Sequence, residues 1–167
     1  MKRTLLSAAA IAATLAGGGA QAHGDDPHEK KDAAQIHMKA EQTAFGIAGD
    51  PQKVTRTIEI DMRDTMRFVP ERLAVNRGET VRFVVTNSGA VLHELVLGSR
   101  KELEHHAALM KKFPEMEHDE PHMVHVDPGK KGGFVWQFNR AGEFHYGCLV
   151  PGHFEAGMVG RIRVNGI

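Results

Sequence analysis

The chain has 167 residues, of which 41% are hydrophobic and 25% are charged. These values are typical of one soluble globular domain and exclude a membrane-embedded or largely disordered chain. The 21 lysine and arginine residues balance 21 aspartate and glutamate residues, so no basic field is available to bind nucleic acid. A single cysteine accompanies 11 histidines and 8 methionines. This mixture of thiol, imidazole and thioether side chains suits copper.

Residues 1–22 have the features of an export signal. Two basic residues precede an apolar run over 5–16 that is too short to span a bilayer, and residues 20–22 match a small-x-small cleavage site. We therefore expect a periplasmic mature chain that begins at His23 and has no membrane span of its own. In an oxidising compartment the unpaired Cys148 must be buried, metal-bound or paired with another chain.

Residues 23–52 are polar and rich in His, Asp, Lys and Ala. Their weak periodicity predicts a mobile or loosely docked arm, with a short helix around Ala33 to Phe45. A mature chain that starts at His23 offers a free amine beside an imidazole, which is a good copper chelate. The candidate N-terminal copper ligands are His23, His28 and His37, with Met38 as a further donor. An ordinary polar tail is the alternative, because chain termini are generally disordered.

Short alternating runs of β-branched residues begin after this arm and continue to the C-terminus. Their period of two and the Gly and Asn residues between them predict antiparallel strands. We therefore expect residues 53–167 to form one all-β domain, a Greek-key β-sandwich. The predicted strands cover residues 54–62, 72–75, 79–86, 92–97, 134–138, 142–148 and 158–164.

One helix interrupts the predicted strands, immediately after the strand that carries His93. Ser99 is a suitable N-cap for a helix from Arg100 to Lys112, which Pro114 would end. The polar segment over 115–133, which contains His and Met, is predicted to be a loop.

The strongest motif is Cys148-x4-His153-x4-Met158, with His93 far upstream. A type 1 copper site needs two imidazoles, one thiolate and a weak axial thioether, and these four residues supply that set. The Pro-Gly pair before His153 favours a tight turn between the last two strands. One cysteine excludes a binuclear thiolate-bridged copper centre, and the absence of any His-x-His pair excludes a multicopper oxidase.

These residues resemble the cupredoxin family over about Val54 to Ile167. The spacing of the Cys-His-Met motif is similar to that of rusticyanin and auracyanin. The stretches 105–110, 113–121 and 142–148 look closer still to bacterial periplasmic copper-tolerance cupredoxins of the CopI type. The resemblance implies one type 1 copper, cycling between Cu(II) and Cu(I), at His93, Cys148, His153 and Met158. Many electron-transfer cupredoxins tether the Cys loop through an Asn after the first His, whereas this chain has Glu94 there.

A second group of soft donors lies after the predicted helix. Imidazole and thioether side chains suit copper in transit, although a solvated polar loop is an equally good interpretation. The candidate second copper site consists of His118, His122, Met123 and His125, with Met116, His105 and His106 nearby. His145 should lie on the strand face opposite Cys148, which favours a surface or supporting role.

Three functions remain open at this point. The first is copper tolerance through capture and redox cycling of periplasmic copper, and the donors outside the main motif favour it. The second is a one-electron shuttle between redox partner proteins, which uses the same four ligands. The third is an enzyme of the cuprous oxidase type, and it has the least support because a closed ligand set leaves no substrate position.

Overall fold

The computed structural model describes residues 41–116 and 118–166, and the predicted export signal and most of the predicted arm lie outside this part of the chain. Within these residues ten strands form two five-stranded sheets, and one α-helix and a short 3-10 helix, Pro51–Lys53, accompany them. The strands are β1 Ile47–Ala48, β2 Arg56–Arg63, β3 Arg67–Val69, β4 Arg72–Asn76, β5 Thr80–Asn87, β6 His93–Gly98, β7 Met123–Val126, β8 Lys131–Gln137, β9 Gly142–Gly147 and β10 Val159–Asn165. The first sheet has the order β1-β8-β5-β2-β3 and the second has the order β4-β10-β9-β6-β7. The expected all-β sandwich with one helical insertion is confirmed.

The core between the sheets follows from the alternation in the strands. In β2 the apolar residues Ile58, Ile60 and Met62 are buried, while most of their neighbours are exposed. Strand β10 buries Ile162 and Val164 from the opposite sheet in the same way. These strands therefore give one apolar face to a core shared by the two sheets and one largely polar face to water.

The helix α1, Arg100–Lys112, begins and ends where the sequence predicts. Ser99 and Glu102 form a reciprocal capping box, which satisfies backbone donors at the helix start. The buried face of α1 covers Val96, so strand β6 is buried on both sides along its whole length. This burial explains why β6 is continuously apolar after its first two residues and fixes its first residue, His93, in the protein interior.

Three regions differ from the sequence-based expectation, and the smallest is strand β3, which was not predicted and pairs antiparallel with β2. Thr43, within the predicted helix around Ala33 to Phe45, instead forms an isolated β-bridge with Gly46, and β1 pairs with β8. Phe45 is buried against Trp136, whose indole N–H donates to the Phe45 carbonyl at 3.1 Å. The folded domain therefore begins before the predicted boundary at residue 53.

The segment predicted as a polar loop over 115–133 contains strand β7 and the start of β8. Strand β7 pairs antiparallel with β6, with His93 opposite Val126 and Glu94 opposite His125. This pairing was not predicted because only the two ends of β7, Met123 and Val126, are buried, which gives no period of two. It brings part of the histidine-containing segment beside the strand that carries His93.

Candidate metal centre

Three residues from two separate parts of the fold meet at one end of the sandwich. The Nδ1 atom of His153 lies 3.2 Å from Nδ1 of His93 and 3.2 Å from Sγ of Cys148, and Sγ lies 3.9 Å from Nδ1 of His93. Within residues 41–116 and 118–166, this is the only group of three His, Cys, Asp or Glu residues whose donor atoms all lie within 4.8 Å of one another. We call this group the cysteine site.

The loop between β9 and β10 presents two of these donors. Cys148 follows the last residue of β9, and its amide donates to the Met158 carbonyl at 3.1 Å. The Met158 amide in turn donates to the His153 carbonyl at 3.0 Å. Gly152 has a φ of 91°, the left-handed conformation that the predicted Pro-Gly turn requires. The loop is thus closed by its own backbone, and it holds Cys148 and Met158 in fully buried positions.

Glu94 holds the cysteine loop to strand β6. Its amide points at Sγ of Cys148 at 3.5 Å, and its Oε1 accepts from the Leu149 amide at 2.8 Å. Its Oε2 lies 2.7 Å from Nε2 of His125, on the neighbouring strand β7. The glutamate therefore links strand β6 to the cysteine loop, a role that the sequence did not assign, and it also contacts His125 of the histidine-containing segment.

Burial raises the pKa values of both Cys148 and Glu94. Burial raises the pKa of the Cys148 thiol to about 12, and the Glu94 amide opposes this only in part. The same cause raises the pKa of Glu94, against the opposing influence of His125. A thiol of this kind is protonated at neutral pH, so a metal ion that binds it must displace the proton.

Asp64, on the turn between β2 and β3, contacts His93 from the side away from Cys148. Its Oδ1 lies 3.0 Å from Nε2 of His93, and its Oδ2 accepts from the Ala90 amide at 2.8 Å. The Ala90 amide and the His93 ring hold the pKa of Asp64 below its usual value. The sequence offered no signal for this aspartate, because 29 residues separate it from His93.

The donor chemistry of the cysteine site fits copper. Two imidazole nitrogens and one thiol sulfur converge, which is the donor set of blue-copper sites, and a buried methionine follows on the same loop. A profile described as copper binding proteins of the plastocyanin/azurin family matches residues 54–165. The chain belongs to this family of cupredoxins.

Two curated relatives share the description "Copper-resistant cuproprotein CopI". The protein from Rubrivivax gelatinosus is 45% identical over 165 residues, covering 98% of this chain and 96% of the relative. The protein from Pseudomonas aeruginosa is 33% identical over 150 residues, covering 72% of this chain and 82% of the relative. Reduced auracyanin from Roseiflexus castenholzii matches the fold with a TM-score of 0.58 and 18% identity, covering 67% of this cupredoxin and 98% of auracyanin. The resemblance stated from the sequence is confirmed.

The candidate second site is only partly assembled in this cupredoxin. His122 packs edge-on against Phe45 and Trp136, and Met123 is buried in the core beneath α1. His118 instead lies between His106, with ring centres 4.5 Å apart, and His125, with ring centres 5.7 Å apart. We call His106, His118 and His125 the histidine cluster.

The remaining candidate copper donors are either exposed or lie outside the described residues. Met116 and His105 are exposed, and the Met116 carbonyl accepts from Nδ1 of His118 at 3.2 Å. The N-terminal candidates His23, His28 and His37, and Met38, lie outside the described residues.

His145 is buried on the far face of β9, and it lines a surface pocket together with Arg100 and Arg161. No helix within the described residues is both long and apolar enough to cross a membrane.

Proposed function

We propose that this cupredoxin binds one type 1 copper through His93, Cys148, His153 and Met158, and that it serves copper tolerance in the periplasm. The convergence of Nδ1, Sγ and Nδ1 within 3.2–3.9 Å supports the first three ligands. Met158 is buried at the end of the same loop and would supply the weak axial thioether. Bound copper would supply one-electron redox chemistry at a site framed by strands β6, β9 and β10 of the second sheet.

The histidine cluster favours copper handling over simple electron transfer. Because a carbonyl only accepts, the contact with Met116 requires His118 to carry its proton on Nδ1, which leaves a lone pair on Nε2. That Nε2 atom is buried and has no hydrogen-bond partner within the described part of the chain. A buried nitrogen lone pair beside two further imidazoles is a reasonable soft-metal donor, whereas a pure electron shuttle has no use for it.

An open cleft runs between the histidine cluster and the cysteine loop. It has a volume of about 710 Å³, and its lining includes Met116, His118 and His125 on one side and Val150 and Pro151 of the cysteine loop on the other. Copper captured in this cleft would lie beside the type 1 centre. Copper held by His93, Cys148 and His153 would supply a one-electron acceptor for captured Cu(I).

A role in copper tolerance also agrees with the CopI relatives, which are described as copper-resistant cuproproteins. The electron shuttle keeps one supporting observation: the apolar residues Val91 and Leu92, just before His93, are 44% and 41% exposed. Such a patch can dock a partner protein.

Copper stoichiometry combined with a growth assay separates these two functions. Copper tolerance predicts more than one tightly held copper per purified chain and copper-sensitive growth after deletion of the gene. Complementation with wild type should restore growth, and complementation with Cys148→Ser should not. One copper per chain with unaffected growth in copper would favour the shuttle.

A further inference from the structure

His93 has its two ring nitrogens on opposite sides of a fully buried side chain. Nδ1 faces Cys148 and His153, whereas Nε2 lies 3.0 Å from Oδ1 of Asp64. An ionised carboxylate only accepts hydrogen bonds, so Nε2 must carry the ring proton and donate it. The neutral ring then has its lone pair on Nδ1, which is the nitrogen that faces the other donors.

The chain around Asp64 is built to hold this carboxylate in place. The Ala90 amide donates to its second oxygen at 2.8 Å. A Cβ atom at Gly89 would overlap Oδ1 of Asp64, so the close approach of this backbone requires glycine. Asn87 shapes the same turn, since its side chain accepts from the Gly89 amide and donates to the Val91 and Val126 carbonyls.

We propose that Asp64 is a positioning residue for the copper site, which orients His93 and strengthens Nδ1 as a donor. This inference rests on the proposed copper site at His93 and Cys148. A carboxylate behind a ligating imidazole fixes the tautomer and raises the basicity of the other nitrogen. A more basic donor stabilises Cu(II) more than Cu(I), so Asp64 tightens Cu(II) binding and lowers the reduction potential.

The simpler alternative is that Asp64 only holds the β2–β3 turn against the segment around Ala90 through its hydrogen bond to the Ala90 amide. Both roles predict some loss of stability when the side chain is removed, so stability does not distinguish them. Only the positioning role requires a change in Cu(II) affinity, in the reduction potential and in the His93 tautomer.

Three variants test the positioning role of Asp64. Asp64→Asn keeps an acceptor for His93 but removes the charge, whereas Asp64→Ala removes both. Gly89→Ala keeps the aspartate and pushes it away from the ring. Asp61→Asn is the matched control, because Asp61 lies on the adjoining end of β2 and bonds to Arg63 and Ser88.

The measurements are Cu(II) affinity by chelator competition and reduction potential by titration of the visible band. Loss of a partner behind a metal-ligating histidine typically weakens metal binding about 10- to 100-fold. We expect a loss in this range for Asp64→Ala and Gly89→Ala, a smaller loss for Asp64→Asn, a raised potential in all three, and wild-type values for Asp61→Asn. Wild-type affinity and potential in Asp64→Asn and Asp64→Ala would overturn the inference.

A copper-free measurement separates this inference from the proposed function. Nitrogen-15 NMR of the metal-free wild type should show His93 as the Nε2–H tautomer, and Asp64→Ala should shift the ring signals. A ring protonated on Nδ1 would refute the positioning role. Wild-type protein that binds copper without a thiolate band would instead refute the copper site itself, whatever the tautomer of His93.

Discussion

The cysteine site and the histidine cluster use similar side chains in different structural settings. At the cysteine site the donor atoms lie 3.2–3.9 Å apart, and His93 and Cys148 are completely buried. In the histidine cluster the ring centres lie 4.5–5.7 Å apart, and His125 is exposed and paired with Glu94. The type of donor side chain alone therefore does not distinguish a preformed metal site from a cluster of metal-binding side chains. The distances between the donors and their burial do.

The difference comes from the elements that carry the donors. The first residue of β6 and the β9–β10 loop supply the cysteine site, and β6 is paired with β9 in a fixed register. The histidine cluster combines one face of α1, the segment after it and β7. Sheet register places the first set to within hydrogen-bonding distance, whereas the second set includes His106 on a helix and His118 on a connecting segment, neither of which belongs to a sheet.

Replacing the thiol should have the largest effect. We expect Cys148→Ser to abolish the intense thiolate-to-copper absorption of the copper-loaded protein, because no other residue of the 167 is a cysteine. Visible absorption spectroscopy measures this directly. His145→Ala is the control, since His145 lies on the opposite face of β9, and it should keep the band. An absorption band that persists in Cys148→Ser would refute the assignment of Cys148 as a copper ligand.

Removing the histidine cluster should change the copper count without changing the colour. We expect His118→Ala combined with His125→Ala to lose copper beyond the first equivalent while the visible band remains. Metal analysis after dialysis gives the count, and the exposed His105→Ala serves as the control. An unchanged count would contradict the cluster as a copper site, and loss of the band would show that the two regions are not separable.

Replacing Met158, the proposed axial ligand, should have an intermediate effect. We expect Met158→Leu to keep copper but raise the reduction potential, because loss of a weak thioether donor favours Cu(I). Redox titration of the visible band measures the shift. Met123→Leu is the matched control, since Met123 is also a buried methionine but lies in the core beneath α1. Both changes conserve volume and should cost less than about 1.5 kcal/mol of stability. Equal potentials in the two variants would show that Met158 is not a ligand.

Acidification should have the smallest effect and should act through buried imidazoles. Burial lowers the pKa of His122, so the folded state takes up this proton at lower pH than the unfolded chain, where the pKa is about 6.5. The stability that depends on neutral His122 is therefore present above about pH 6.5 and is lost as the pH falls towards the folded pKa.

Chemical denaturation of the metal-free protein between pH 7 and pH 5 tests this linkage. The free energy of unfolding should fall with pH in wild type and fall less steeply in His122→Phe, which retains the contact with Phe45 and Trp136. If the free energy of unfolding depends on pH equally in wild type and in His122→Phe, burial does not lower the pKa of His122.

Much of the fold was predictable from local pattern. The alternation in β2, β5 and β10 gave these strands, and the capping box at Ser99 gave the start of α1. Strand β7 was missed because its burial has no period of two, and β1 and β3 were missed because they are only two and three residues long. Strands β1 and β7 are held by pairing with strands that are distant in sequence, which local sequence does not report.

The sequence by itself determined the cupredoxin fold class and the residues that meet at the cysteine site, because the Cys-His-Met spacing lies within one loop. It also identified Glu94 as a departure from many cupredoxins. Only the tertiary structure decided that Glu94 joins Leu149 to His125, that Asp64 stands behind His93, and that His118 faces His106 instead of His122. These contacts join residues separated by 12 to 55 positions, so they depend on how the sheets and the helix pack and not on any local pattern.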